Sequence, residues 1–175
     1  MVKVMRSNLS STATAGKPAP LGWQTVGEQA PKRLEVNLIF TNQPSTVCAL
    51  ETVESLARDL GASIRLRAAV VVPYQLPVDE PPVSVPFLER SLFDLISRLE
   101  RDGFEATAHL YICRDRDSGL LQVLRQNSLV VLGGQKRWWP TAESRLAREL
   151  RAKGHRVIVV DSRAQAASEQ PVFAR

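Results

Sequence analysis

The sequence is poor in the residues that build metal centres, disulfide frameworks and catalytic diads. Two cysteines, Cys48 and Cys113, are too few for a disulfide framework or a four-ligand zinc site. Two histidines, His109 and His155, have no cysteine or carboxylate cluster beside them, so no metal motif is expected. This usage fits reducing, cytoplasmic surroundings. No apolar run approaches the roughly 18 residues of a membrane span, and the basic stretch from Met1 to Ser10 has no apolar h-region behind it. Neither secretion nor membrane insertion is expected. A GK[ST] phosphate loop and a G-x-G-x-x-G are both absent. What is present is ordinary: 175 residues, 44% hydrophobic and 23% charged, the composition of one globular domain.

The charge is unevenly placed. Lys3, Arg6, Lys17, Lys32 and Arg33 against Glu28 give the first 33 residues a net +4 of the whole chain's +5. The remainder is nearly neutral, which argues against a DNA or RNA binder. Residues 1–33 are rich in Ser, Thr, Ala, Gly and Pro, have Trp23 as their only large aromatic, and lack helical or strand periodicity. They read as a disordered basic leader, or as an arm that docks on a partner through Trp23, Lys32 and Arg33. Residues 163–175 read as a loose tail, leaving 34–162 as the domain.

Inside that domain, short β-branched runs alternate with helical stripes, the pattern of a parallel sheet covered by helices. The first predicted strand is Leu34 to Thr41. Ser45 is a candidate cap for a helix striped by Ala49, Val53, Leu56 and Leu60 and closed by Gly61. Ser63 to Val72 is the second strand, continuously apolar at its end as a doubly buried strand should be. Five prolines between Pro73 and Pro86 exclude helix and central strand there. Leu88, Leu92, Leu95, Ile96 and Leu99 then form a helix face that stops at Asp102-Gly103. Glu105 to Cys113 reads as a third, edge-type strand, followed by a short helix capped by Asp117. Ser128 to Leu132 is the fourth strand, ending at Gly133-Gly134. Thr141 opens the last helix, Gly154 closes it, and Arg156 to Val160 is the fifth strand. With right-handed crossovers, this order predicts an α/β fold: a doubly wound, five-stranded parallel sheet of the Rossmann-like class. Ligands on such sheets bind at the carboxyl ends of the strands, here Thr41, Asn42 and Gln43, Val72 and Pro73, and Gly133 to Arg137.

Three stretches, LIFT…VCALETVESLARDLGA, SLVVLGG and RLARELRAKGHRVIVVD, resemble the universal stress protein (UspA-like) family over Leu34 to Asp161. In members that bind ATP, an acid at the end of the first strand meets the adenosine, and G-x-x-G-x₉-G-[ST] after the fourth strand holds ribose and phosphates. Glycines there let backbone N–H groups form an anion nest before a helix N-terminus. Here Gly133 fits the first glycine, Lys136 replaces the second, and no glycine lies between Gly134 and Gly154 to serve as the third. Thr41, Asn42 and Gln43 stand where the acid would be. The resemblance therefore implies that binding of ATP or another adenine nucleotide is lost or altered, and that the chain is a homodimer. It also implies a regulatory module whose partner is a protein such as a transporter or a sensor kinase.

The motif is replaced by Gly133-Gly134-Gln135-Lys136-Arg137-Trp138-Trp139-Pro140-Thr141. In one reading, Lys136 and Arg137 meet an anion, Thr141 caps the helix and an indole stacks on a base. In the other, Trp138 and Trp139 cover the sheet end or a dimer contact, and the two cations are solvated. The candidate nucleotide site is thus Thr41, Asn42, Gln43, Val72, Gly133, Gly134, Lys136, Arg137 and Thr141. No catalytic residue is assigned: neither histidine has a Ser or Cys nucleophile at motif spacing, and both cysteines read as small buried hydrophobes. Asp115 and Asp117 suggest Mg²⁺ less well than a helix cap and loop charges. An enzyme is not expected.

Overall fold

The computed structural model describes residues 34–77, 81, 84–134 and 141–161, together with the backbone path of strand β1 (Val4–Leu9). The elements that follow are β2 (Glu35–Ile39), α1 (Gln43–Leu60), β3 (Ser63–Val71), α2 (Val85–Arg101), β4 (Ala106–Cys113), α3 (Arg116–Val123), β5 (Leu129–Gly134), α4 (Ala142–Ala152) and β6 (Arg156–Asp161). All strand pairs are parallel, in the order β1-β4-β3-β2-β5-β6. The five strands expected from the sequence are present, and β1 adds a sixth. That strand lies in the stretch read as a disordered leader, so the expectation fails at Val4–Leu9: β4 presents a row of backbone groups that a strand can pair, from Val4 opposite Ala108 to Leu9 opposite Cys113. Residues 10–33 and 163–175, Trp23 among them, lie outside the described residues. β4 is correspondingly an interior strand, not an edge.

Chain order dictates the layers. From β2 the chain steps to β3 and then β4 in one direction, so right-handed crossovers place α1 and α2 on one face. It then returns past its starting point to β5 and β6, which places α3 and α4 on the other. The larger core lies on the first face, where Leu50, Val53, Leu92, Ile96 and Leu99 pack on Leu38, Ile64, Leu66 and Leu110. A smaller cluster on the second face joins Ile39, Val130 and Leu132 to Leu120, Leu146 and Leu150. The direction of winding reverses between β2 and β5, which is where a doubly wound sheet opens a crevice.

Local chemistry explains where the boundaries differ from the sequence reading. The cap of α1 is Asn42, not Ser45: its Oδ1 accepts from Ser45 N at 2.9 Å. Pro44 sits in the first turn, where the missing N–H costs nothing. The cap of α3 is Asp115, whose Oδ1 accepts from Ser118 N at 2.8 Å. Asp117, the expected cap, is instead 8% exposed and held between Arg116 (2.9 Å) and Arg145 (3.4 Å), tying α3 to α4. Gly61 closes α1 at φ +57°, and Gly154 follows α4 at φ +87°, both in the left-handed region that glycine adopts without strain.

Candidate functional site

At the crevice, β2 ends in Thr41-Asn42-Gln43 and β5 in Gly133-Gly134. Thr41 Oγ1 donates across the gap to Gly133 O at 3.0 Å. Thr41 N–H reaches Thr46 Oγ1 at 3.4 Å, and Thr46 Oγ1 in turn donates to Asn42 O at 2.7 Å. Asn42 therefore serves the first turn of α1 with both its side chain and its carbonyl. A Cβ on Gly133 would stand 1.9 Å from Ser45 O and 2.4 Å from Ser45 C. The missing side chain thus admits the backbone of the first turn of α1 against β5.

The other expected site residues occupy the same end of the sheet in different states. Val72 is fully buried, and its N–H bonds Cys113 O at 2.9 Å, so it presents packing and not a donor. Gln43 is exposed at the start of α1. Gly134 has room, since a Cβ there would come no nearer than 3.4 Å to Glu143 Cβ. Thr141 caps α4 as expected: Oγ1 accepts from Ser144 N at 3.2 Å, and Ser144 Oγ donates to Thr141 O at 2.8 Å. Lys136, Arg137, Trp138 and Trp139 lie outside the described residues. The structure therefore brings Thr41, Asn42, Gln43, Val72, Gly133 and Gly134 to one end, with Thr41 and Gly133 in direct contact.

Beside the crevice, Arg114 fastens the proline-rich connection. Its guanidinium donates to the carbonyls of Val72 (3.1 Å), Pro73 and Leu76 (2.9 Å), and lies 5.4 Å from the ring centre of Tyr74. The sequence reading missed this residue: its only signal was a cation immediately before the helix cap Asp115.

A second unforeseen constellation lies on the α3/α4 face of the sheet. Arg67, 5% exposed, donates from Nε to Asn37 Oδ1 at 2.7 Å and from Nη1 to the Tyr111 hydroxyl at 2.6 Å. Asn37 Nδ2 donates to Leu129 O at 3.3 Å, and the rings of His109 and Tyr111 stack at 6.2 Å. Burial lowers the Arg67 pKa, with Tyr111 opposing that shift; a guanidinium nevertheless remains protonated. Three neighbouring strands are thereby cross-linked by polar groups, β2 through Asn37, β3 through Arg67 and β4 through Tyr111.

Cys113 and His155 are both shifted by burial toward their neutral forms. Burial pushes the Cys113 thiol up, with Asp115 adding to the effect, and its Sγ lies 3.7 Å from Val70 O. His155 is 7% exposed, with its pKa lowered by burial and its Nδ1 lacking a hydrogen-bond partner. Among the described residues, no group of three or more His, Cys, Asp or Glu side chains is placed to hold a metal, and no helix is long and apolar enough to cross a membrane.

Comparison with protein-family models finds no match, and comparison with curated proteins finds none either. Solved structures do match. A protein of the universal stress protein family from Burkholderia pseudomallei is 18% identical, covers 72% of this chain and 94% of its own, and superposes with a TM-score of 0.50. A universal stress protein from Archaeoglobus fulgidus is 14% identical over 73% of this chain and 93% of its own, with a TM-score of 0.52. At these identities the likeness is one of fold, in keeping with the all-parallel sheet and its single reversal of winding: the chain has the universal stress protein fold.

Proposed function

We propose that this chain is a cytoplasmic, universal-stress-protein-like regulatory or interaction module that works as a homodimer and does not hydrolyse ATP. The carrying observation is the crevice between β2 and β5, where the first turn of α1 occupies the space over Gly133 and Thr41 bridges to the Gly133 carbonyl. The Ser45 N–H, which an anion at the α1 terminus would need, is already given to Asn42. The protonated, buried Cys113 supports the absence of covalent chemistry. For the dimer, the supporting feature is β6, whose outer edge pairs with no strand among the described residues and which leaves Val159 43% exposed. A transporter or sensor kinase is the kind of protein partner such a module serves.

A second reading, a sensor of ATP, AMP or a cyclic dinucleotide, is favoured by the space at Gly134 and the N-terminus of α4 at Thr141, with Lys136 and Arg137 between them in sequence. One experiment separates the two. Thermal denaturation is followed with Mg-ATP, AMP and cyclic dinucleotides, for the native chain and for Lys136→Ala/Arg137→Ala. A ligand at about 100 times its Kd adds about 2.7 kcal/mol, on the order of 5–11 °C in Tm for a chain of this size. No shift with any nucleotide is the result expected of the interaction module. A shift that disappears in the double variant establishes the sensor. Light scattering of the eluting protein checks the dimer, and monomer at all concentrations would refute that part.

A further inference from the structure

The opposite end of the sheet has a different character. At the amino ends of β2, β5 and β6, a groove of about 690 Å³ opens between the turn after α3 and the turn after α4. That volume is within the range of about 300–1,000 Å³ typical of small-molecule sites. The lining combines two kinds of surface. Leu34 and Leu60 are 59% and 44% exposed, an apolar pair at the mouth. Arg125 and Arg156, both exposed, supply cations.

Charge balance in the groove is not met internally. One oxygen of Glu35 holds Arg65 at 2.7 Å and Arg125 at 3.4 Å, so a single carboxylate already serves two guanidinium groups. Arg156 has no ion-pair partner among the described residues. Two lining arginines stand against one glutamate, which Arg65 outside the lining also engages, so the groove is left positive, and an arginine fork is suited to a planar anion.

The rim is preorganised. Arg125 O accepts from Ser128 N at 3.3 Å and also from Ser128 Oγ, and Ser128 O accepts from Arg156 N at 3.0 Å. Asn127 is at φ +57°, the only positive-φ residue other than glycine among the described residues, and a Cβ on Gly154 would lie 3.5 Å from its Oδ1. Arg125, in the turn after α3, and Arg156, the first residue of β6, are therefore both tied to Ser128, and ordering them on a ligand costs less than ordering two free loops. The groove floor includes Asn37, whose amide is oriented by Arg67 at 2.7 Å.

We infer that this groove binds a small amphipathic monoanion: a carboxylate held by Arg156 and Arg125, on an apolar body that lies along Leu34 and Leu60. The site stands at the other end of the sheet from the crevice between β2 and β5, so it neither uses nor requires a nucleotide there.

The probe is octanoate, followed by isothermal titration and by ligand-observed NMR on the full chain, with 1-octanol and acetate as comparisons. Octanoate is expected to bind at least tenfold more tightly than octanol, which lacks the charge, and than acetate, which lacks the body. Arg156→Gln, an exposed substitution, is expected to weaken octanoate about tenfold with an unchanged melting temperature, and Leu60→Ser to weaken it severalfold. Lys136→Ala/Arg137→Ala leaves octanoate binding unaltered, which separates this site from the carboxyl end. Equal affinity for octanoate and octanol, undiminished binding by folded Arg156→Gln, or no binding at millimolar octanoate would each overturn the inference.

Discussion

Gly133→Ala tests whether the crevice is closed by the protein's own backbone. The new Cβ would stand 1.9 Å from Ser45 O. An ordinary carbon-to-oxygen contact is about 3.3 Å, so the first turn of α1 must retreat by about 1.4 Å. The obstacle is backbone, and no rotamer change relieves it. Overpacking of this kind costs about 1–3 kcal/mol. The retreat also pulls on the Thr41 Oγ1 to Gly133 O bond and on the Asn42 cap, each worth about 1 kcal/mol. The expected loss is about 3–5 kcal/mol, or roughly 6–20 °C in Tm. The control is Gly134→Ala, where the nearest atom is Glu143 Cβ at 3.4 Å and the expected loss is under about 1 kcal/mol. Thermal and urea denaturation by circular dichroism give both values. Equal midpoints for the two variants would refute the claim that Gly133 is present to admit α1.

Three further outcomes are expected. Arg67→Met removes the cation but leaves Asn37 Oδ1 and the Tyr111 hydroxyl without their donor, so stability falls by about 2–4 kcal/mol; adding Asn37→Leu and Tyr111→Phe should recover much of that, and no recovery in the triple variant would refute the accounting. Asp117→Asn weakens the tie from α3 to α4 through Arg116 and Arg145, costing about 1–2 kcal/mol because both arginines are partly exposed; a neutral result in urea denaturation would show the tie to be inert. His155 has its pKa lowered by burial, so the unfolded chain takes up the proton first, at about pH 6.5. Its contribution is whole above that pH and is lost as pH falls toward the lower folded-state value. The Tm should therefore drop between pH 7 and 5.5, with a shallower slope in His155→Gln; identical slopes would contradict the assignment.

Periodicity made the helices and the five domain strands legible, because the amphipathic stripes of α1, α2 and α4 and the apolar runs of β3 and β5 report burial directly. β1 was not legible: a six-residue strand in a Ser- and Thr-rich stretch shows no pattern that sets it apart, and its reason for pairing is the open edge of β4. Caps were misplaced by two or three residues because Asn42 and Ser45, or Asp115 and Asp117, are equally good cap residues in sequence. What decides between them is where the preceding strand stops. Arg67 was invisible for a different reason. In sequence it is one polar residue of an alternating strand, and such a residue reads as solvent-facing until three strands are placed side by side. Gly133 was found, but its contact with the first turn of α1 was not, since the same absent side chain serves a phosphate or a neighbouring helix equally well.

The contrast between the two ends of the sheet follows from how the described donors are spent. At the carboxyl end, Asn42 and Thr141 cap their own helices, Thr41 closes on β5, and the Arg114 guanidinium is taken up by the loop carbonyls of Val72, Pro73 and Leu76. A ligand at any of these groups must displace its intramolecular partner. At the amino end, Glu35 is shared by two arginines while Arg156 is left for a ligand. The two ends have no charged residue in common and lie at opposite limits of the strands. Occupation of one should therefore leave affinity at the other unchanged, and an octanoate titration repeated with saturating nucleotide measures this directly. A change of more than about threefold would mean that the strands transmit between their ends, with the Asn37, Arg67 and Tyr111 bridge as the first element to remove.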